Sequence, residues 1–351
     1  MDKLTVKKFG VTENGDKPYL YVLKNDRGTV VTVTDYGASL VNVLVADKNG
    51  TIKDVVLGYD NVNGYEKNGD HLGATVGRNA NRIGGAAFEL DGRRYDLDKN
   101  DNGHNNLHSG PDYYNKRMWE VTENGDDHVT FMLHSPDGDQ GYPGTIDMYV
   151  TYSLDEENTI TIHYEAVPDQ DTVINMTNHS YFNLNGHDSG DVLDHVVTLD
   201  ADYFTPTDAE SIPTGEIRPV DGTPMDFRNG QKIGARIDED FEPLNFGGGY
   251  DHNWVLKNEG RFVKVAEVSS EKSGIRMEVL TDLPGVQIYT ANFLDGVAGK
   301  DGAVYGKRNA VCLETQYYPD AIHHDNFPGP VCKAGEKYDT RTAYRFLTEE
   351  K

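Results

Sequence analysis

Two cysteines in 351 residues, Cys312 and Cys332, are too few for a disulfide framework, and neither belongs to a CxxC pair. Reduced thiols are expected. Basic residues are scarce as well: 33 Lys and Arg against 58 Asp and Glu leave a formal net charge of -25. The long-range field of such a chain repels polyanions, which argues against nucleic acid and acidic membranes as partners and disfavours phosphorylated substrates. No stretch approaches the roughly 18 apolar residues of a membrane span. The opening MDKLTVKKFG lacks the apolar centre of a signal peptide, so a cytoplasmic location is expected. A sustained 3.6-residue apolar period is missing too, so helices should be few and short.

What the chain does have is glycine (37), tyrosine (21) and short apolar runs broken by Asn-Gly, Asp-Gly and Pro-Gly pairs, the pattern of an all-β protein. The clearest case is a hairpin. Ile146, Met148, Val150, Tyr152 and Leu154 alternate with polar residues, residues 155–158 turn the chain, and Ile160, Ile162, Tyr164 and Ala166 continue the alternation. Similar extended runs fall at 19–24, 29–34, 40–46, 53–58, 128–134, 194–200, 261–268, 275–280, 285–291 and 310–316. Their regular spacing predicts a large antiparallel β-sandwich. Neither a composition break nor an internal repeat divides residues 1–351, which are expected to form a single domain. The glycine-rich residues 245–250 read as a loop that delivers Asp251 to a site.

Four segments concentrate polar side chains where strand signals meet turn signals: residues 77–82, 105–110, 177–184 and 313–320. A sandwich gathers its loops and strand ends at a rim or on one open face, where distant segments converge. His179 is expected at a strand end, on the face shared with Asn175 and Thr177, and those two are read as supports for its ring. Glu314 follows the apolar run Ala310-Val311-Cys312-Leu313, so it belongs in or beside a buried strand, where desolvation raises its proton affinity towards the range of a general base. His179 and Glu314 would act as an acid/base pair if they faced opposite sides of one ligand. A structural ion pair for Glu314, and a paired-carboxylate site with Asp251, stay open at this point. His108, His179, His187, His323 and His324 fit no metal-binding spacing, and no GxSxG elbow or nucleotide loop is present.

Taken together, GRNANRI, NNLHSG, TNHSYFNL, GGYDHNW, LPGVQIYTAN and CLETQYYPDAIHH resemble, in order and approximate spacing, the aldose 1-epimerases, also called galactose mutarotases. The resemblance spans roughly residues 10 to 346. It implies a galactose mutarotase-like β-sandwich with an open sugar cleft and no metal or redox cofactor. It further implies interconversion of the anomers of neutral aldohexoses such as galactose and glucose, by a monomer or homodimer. Position by position, it makes Glu314 the general base and His179 the general acid. His108 would bind near the ring oxygen, Asn81, Arg82, Asp251 and Gln287 would hold hydroxyl groups, and Tyr181 would line the cleft. Arg82 is implied as a sugar contact or an orienter of Glu314. His179 is expected protonated and Glu314 ionised when the ring opens. Two departures stand out: Ser109 replaces a frequent second glycine, and Tyr317-Tyr318 replaces Asn-Trp or His-Phe. A hexose 6-phosphate epimerase and a noncatalytic sugar-binding sandwich are the rival readings. The charge weighs against the first and the paired acid and base against the second.

Overall fold

The computed structural model describes residues 3–348. Three antiparallel sheets dominate it. The first is a five-stranded meander of Leu4–Lys8, Tyr19–Lys24, Val30–Thr34, Ser39–Ala46 and Ile52–Asp54. The second has nine strands, in the order Glu120–Asn124, His128–Ser135, Ile146–Leu154, Thr159–Ala166, Tyr338–Thr348, Ile275–Thr281, Val263–Ser269, Val196–Leu199 and Gln231–Lys232. The third orders Arg218–Pro219, Tyr203–Thr205, Asp251–Val255, Gly285–Tyr289 and Cys312–Gln316. Among the described residues the α-helices are Val62–Lys67 and Glu242–Gly247, and no helix is long and apolar enough to cross a membrane. The all-β sandwich expected from the alternating runs is the fold observed.

The hairpin follows its period of two. Val150 pairs with Tyr164 and Tyr152 with Ile162, and all nine apolar residues expected to face inward are buried. The turn closes because Asp155 Oδ1 accepts the amides of Glu157 (2.9 Å) and Thr159 (2.8 Å), the local hydrogen bonding at which aspartate excels. One buried cluster draws Leu23 and Val43 from the first sheet, Phe131, Val150 and Tyr344 from the second, and Trp254, Ile288 and Leu313 from the third. Each fully buried aliphatic or phenyl side chain adds about 1.5–3 kcal/mol, and this core offsets the cost of the charged and polar groups buried beside it.

Two expectations need correction. The run at 53–58 is strand only as far as Asp54, because Val56 leaves the meander to bridge Phe182. Residues 242–247 are a helical turn rather than part of a loop, too short to reveal a helical period in sequence. Gly248 ends that helix at φ 63°. Gly249 follows at φ 138°, where a Cβ would lie 2.3 Å from the Arg308 guanidinium, so only glycine lets the chain pass.

Candidate active site

The third sheet builds one wall of a cleft. In its register, Asp251 pairs with Tyr289 and Tyr289 with Cys312, while Asn253 pairs with Gln287 and Gln287 with Glu314. Paired residues share a face and the face repeats every two residues, so Asp251, Gln287, Tyr289, Cys312 and Glu314 all project from one side. The intervening Trp254, Ile288 and Leu313 enter the core. Glu314 is thus carried mid-strand, 2% exposed, by a run whose other face is hydrophobic.

His179 arrives on a separate strand. Thr177–His179 pairs with Ala74–Val76, which makes His179 the last strand residue, as expected. Its carbonyl accepts the Gly73 amide at 3.1 Å. Gly73 sits at φ 69°, where a Cβ would come within 2.0 Å of the Leu40 carbonyl. Just beyond, Phe182 and Val311 exchange two backbone hydrogen bonds of 2.9 Å. That bridge docks the histidine segment onto the strand of Glu314, and Nε2 of His179 lies 3.6 Å from Oε1 of Glu314. The two groups therefore stand side by side on one wall, not on opposite sides of a ring-sized gap.

The supports of the imidazole also differ from expectation. Asn175 binds the backbone of Tyr317 through both ends of its amide, and the buried Thr177 hydroxyl has no partner among the described residues. The ring instead stacks on Tyr181, with centroids 5.0 Å apart, and its Nδ1 meets the Cys312 sulfur at 3.6 Å. The Tyr181 hydroxyl is anchored to the Asp70 carbonyl at 2.7 Å.

A third segment supplies His108 and Arg82. The strands Arg82–Ile83 and Asn106–Leu107 pair, and the amide of Asn81 donates to Nδ1 of His108 at 3.0 Å. That bond assigns the ring proton to Nε2, so neutral His108 is a hydrogen-bond donor at Nε2. Asn81 Oδ1 accepts the Arg82 amide, and Arg82 Nε donates to Asp101 at 2.9 Å. Arg78 of the same segment is structural: fully buried, it binds the carbonyls of Pro143 and Gly144 and the hydroxyl of Ser135.

These segments enclose a cleft of about 250 Å³ lined by Asn81, Arg82, His108, His179, Tyr181, Asp251 and Glu314. Gln287 is the exception among the expected contacts. It is 4% exposed and donates to Asp251 at 2.8 Å, outside the lining. Its place opposite Glu314 in the register leaves it behind the carboxylate of Asp251, which it orients. Ser109 bonds Asn79 and Tyr142, and neither Tyr317 nor Tyr318 lines the cleft, so the departures from the family pattern stay clear of it.

His71, Asp70, Tyr289 and Phe293 line the cleft without having been singled out in sequence. His71, at φ 59°, packs edge-on against His108 and Tyr113. An Asp-His pair after Asn-Gly reads as an ordinary turn. Phe293, 64% exposed and stacked near Tyr289, offered one sign, a large aromatic in a polar turn.

Burial dominates the electrostatics. It raises Glu314 well above the usual carboxylate range, with the Asp251 charge adding and Arg82 opposing. Burial likewise raises Asp251, against Arg82 and the Gln287 bond. It lowers His179 to about 3, with His71 adding and the residue's own backbone carbonyl opposing. Both members of the pair are thus driven towards their neutral forms, the reverse of the ionised carboxylate and protonated imidazole expected from sequence. His108, His179 and Glu314 bring possible ligand atoms within 4.8 Å of one another. A metal would need the Nε2 lone pair of His108, and the Asn81 amide bond to Nδ1 leaves a proton there instead, so the trio does not fit a metal. Asp251 shares the cleft with Glu314 and its charge reaches it, while the group in contact with the Glu314 carboxylate is the His179 imidazole.

The profile of the family described as Aldose 1-epimerase matches residues 19–345. Galactose mutarotase of Bos taurus is 44% identical over 319 residues, covering 90% of each chain. Aldose 1-epimerase of Escherichia coli K12 is 37% identical over 339 residues, covering 95% of this chain and 96% of its own. Among solved structures, galactose 1-epimerase from Lactobacillus acidophilus superposes with a TM-score of 0.87 at 27% identity over 100% of both chains. An aldose epimerase homologue from C. elegans gives 0.85 at 30% identity over 98% of this chain and 99% of its own. With the profile spanning nearly the whole chain and relatives this similar over nine-tenths of it, the protein belongs to the aldose 1-epimerase family of isomerases.

Proposed function

We propose that this protein interconverts the α and β anomers of neutral aldohexoses such as galactose and glucose, with Glu314 as general base and His179 as general acid. The observation that carries this reading is the contact of a buried imidazole with a buried carboxylate, Nε2 to Oε1 at 3.6 Å, on the wall of a polar cleft.

The chemistry explains the spacing. Opening a pyranose needs a base for the C1 hydroxyl proton and an acid for the ring oxygen. Both oxygens are bonded to C1, so the groups that serve them must lie close together on one wall. Glu314 takes the hydroxyl proton, the C1–ring oxygen bond breaks as the C1 carbonyl forms, and His179 Nε2 protonates the ring oxygen. Rotation about C1–C2 presents the other carbonyl face, and reversal of both transfers closes the opposite anomer. The pair holds one dissociable proton between its members. The reactive arrangement puts that proton on His179, and the neutral resting arrangement puts it on Glu314. A sugar that donates its C1 hydroxyl to the carboxylate and accepts from the imidazole at its ring oxygen favours the first. His108, with its Nε2–H, and Asn81, Arg82 and Asp251 hold the remaining polar groups, so positioning supplies what the two proton transfers do not.

Polarimetry of freshly dissolved α-galactose or α-glucose tests the reading. Decay to the equilibrium rotation should accelerate in proportion to protein concentration. Spontaneous decay in the presence of a protein that binds the sugar by calorimetry would instead identify a noncatalytic sugar-binding protein.

A further inference from the structure

The proposed acid is held from behind by an unusual partner. Nδ1 of His179 meets Sγ of Cys312 at 3.6 Å, and the ring is the thiol's one hydrogen-bond partner among the described residues. Cys312 is fully buried and unpaired with any other cysteine. It lies two residues before Glu314 on the same strand, hence on the same face. One strand therefore presents the base to Nε2 of the imidazole and the thiol to Nδ1. The other groups around the ring are Tyr181 on its face, Tyr289 at its edge and the imidazoles of His71 and His108, with centroids 5.0 to 6.1 Å away. None of these contacts is a hydrogen bond to a ring nitrogen, so beside the residue's own backbone carbonyl the hydrogen bond that fixes which nitrogen faces the cleft is the one to sulfur.

The chemistry of that partner matters. Where a histidine must act as a base, as in hydrolase triads, a carboxylate behind Nδ1 stabilises the imidazolium that forms. A thiol is a weak donor and weak acceptor with no charge, and burial together with Glu314 and Asp251 keeps this one protonated. It can accept from Nδ1–H or donate to bare Nδ1 as the ring's charge changes, holding the ring in either state while adding little stability to the imidazolium. A proton bound for a weakly basic ring oxygen is released more readily from such a ring. We propose that Cys312 is the positioning residue of the acid: its thiol anchors Nδ1 of His179 so that Nε2 faces the reacting oxygen, and does so without placing a charge behind the ring. This rests on the role proposed for His179.

The test compares Cys312→Ala, Cys312→Ser and Cys312→Asp by kcat and KM for mutarotation, and by ¹⁵N spectra of histidine-labelled enzyme. Cys312→Ala should lower kcat about tenfold with KM changed less than about twofold, and should shift the Nδ1 resonance of His179. Cys312→Ser, which restores a donor and acceptor, should recover most of kcat. Cys312→Asp should raise the pH at which His179 titrates and slow the reaction. Wild-type kcat in Cys312→Ala with an unmoved Nδ1 resonance would overturn the proposal, as would a serine variant no better than alanine. If the alanine and aspartate variants do not fold, the wild-type spectrum decides: Nδ1 must resonate as a hydrogen-bonded nitrogen, and a free nitrogen overturns the proposal. His179→Asn separates the two readings. If it abolishes turnover while Cys312→Ala keeps the wild-type kcat, only the anchoring role falls, and if it leaves turnover intact the acid assignment falls as well.

Discussion

Nε2 of His179 and Oε1 of Glu314 lie 3.6 Å apart although 135 positions separate them in sequence, because Phe182 and Val311 splice their two strands together. The pair is buried, and burial acts on its members in opposite directions. Several consequences can be measured.

Removing either member should cost catalysis rather than binding. Glu314→Gln and His179→Asn are each expected to lower kcat by about 10²–10⁴-fold with little change in KM. Because the residues act as a unit, the double variant should be scarcely slower than the worse single one. Full additivity in polarimetric progress curves would show that they work independently.

The pH dependence follows from the pair as a whole. With His179 lowered to about 3 and Glu314 raised, the pair keeps its single proton across a wide range that includes neutrality, and kcat should be flat there. Activity should fall in acid as a second proton binds and in alkali as the last one leaves. Asp251→Asn removes a negative charge that raises Glu314, so the alkaline limb should move to lower pH, alongside a higher KM. An unmoved limb in the kcat profile would mean that the Asp251 charge does not reach the pair.

Away from the cleft, burial lowers His195 to about 4 from its ordinary 6.5, and its Nε2 accepts the Leu184 amide at 3.0 Å. Above pH 6.5 the residue is neutral folded and unfolded. As pH falls from 6.5 towards 4, the unfolded chain takes up a proton that the folded chain refuses, so this residue's share of stability is lost over that window. Gln at this position can accept the same amide and has no proton to gain. The pH slope of the unfolding free energy should therefore drop by about one proton in His195→Gln. Identical slopes in urea titrations across the window would show that His195 is hydrated in the folded state.

Dialysis against EDTA should leave the mutarotation rate unchanged, since the amide of Asn81 keeps the proton on Nε2 of His108 and spoils the trio of His108, His179 and Glu314 as a metal site. A loss of rate restored by added Zn²⁺ would require His108 to have exchanged its tautomer.

Features carried by local pattern were legible in the chain itself. The alternation of Ile146 to Ala166 specified a hairpin and its buried face. The apolar run before Glu314 specified a carboxylate in a buried strand, and the meeting of strand and turn signals in residues 177–184 marked His179 as a strand end. His71 and Phe293 were not legible, since a turn residue gives no local sign of what lies across from it. The expectation that acid and base face each other failed for a related reason. Period-two reasoning places a side chain on a face of its own strand but says nothing of the angle at which another strand arrives.

The sequence by itself determined an all-β chain through local periodicity, and its family resemblance pointed to seven side chains that line the cleft, Asn81, Arg82, His108, His179, Tyr181, Asp251 and Glu314, because that reading depends on side-chain identity alone. Tertiary structure alone decided that His179 and Glu314 sit side by side, that Gln287 stands behind Asp251, that Asn175 serves Tyr317, and that Cys312 backs the imidazole. Those facts depend on sheet register, on the Phe182–Val311 bridge and on the low dielectric of the core, none of which exists until strands distant in the chain have packed together.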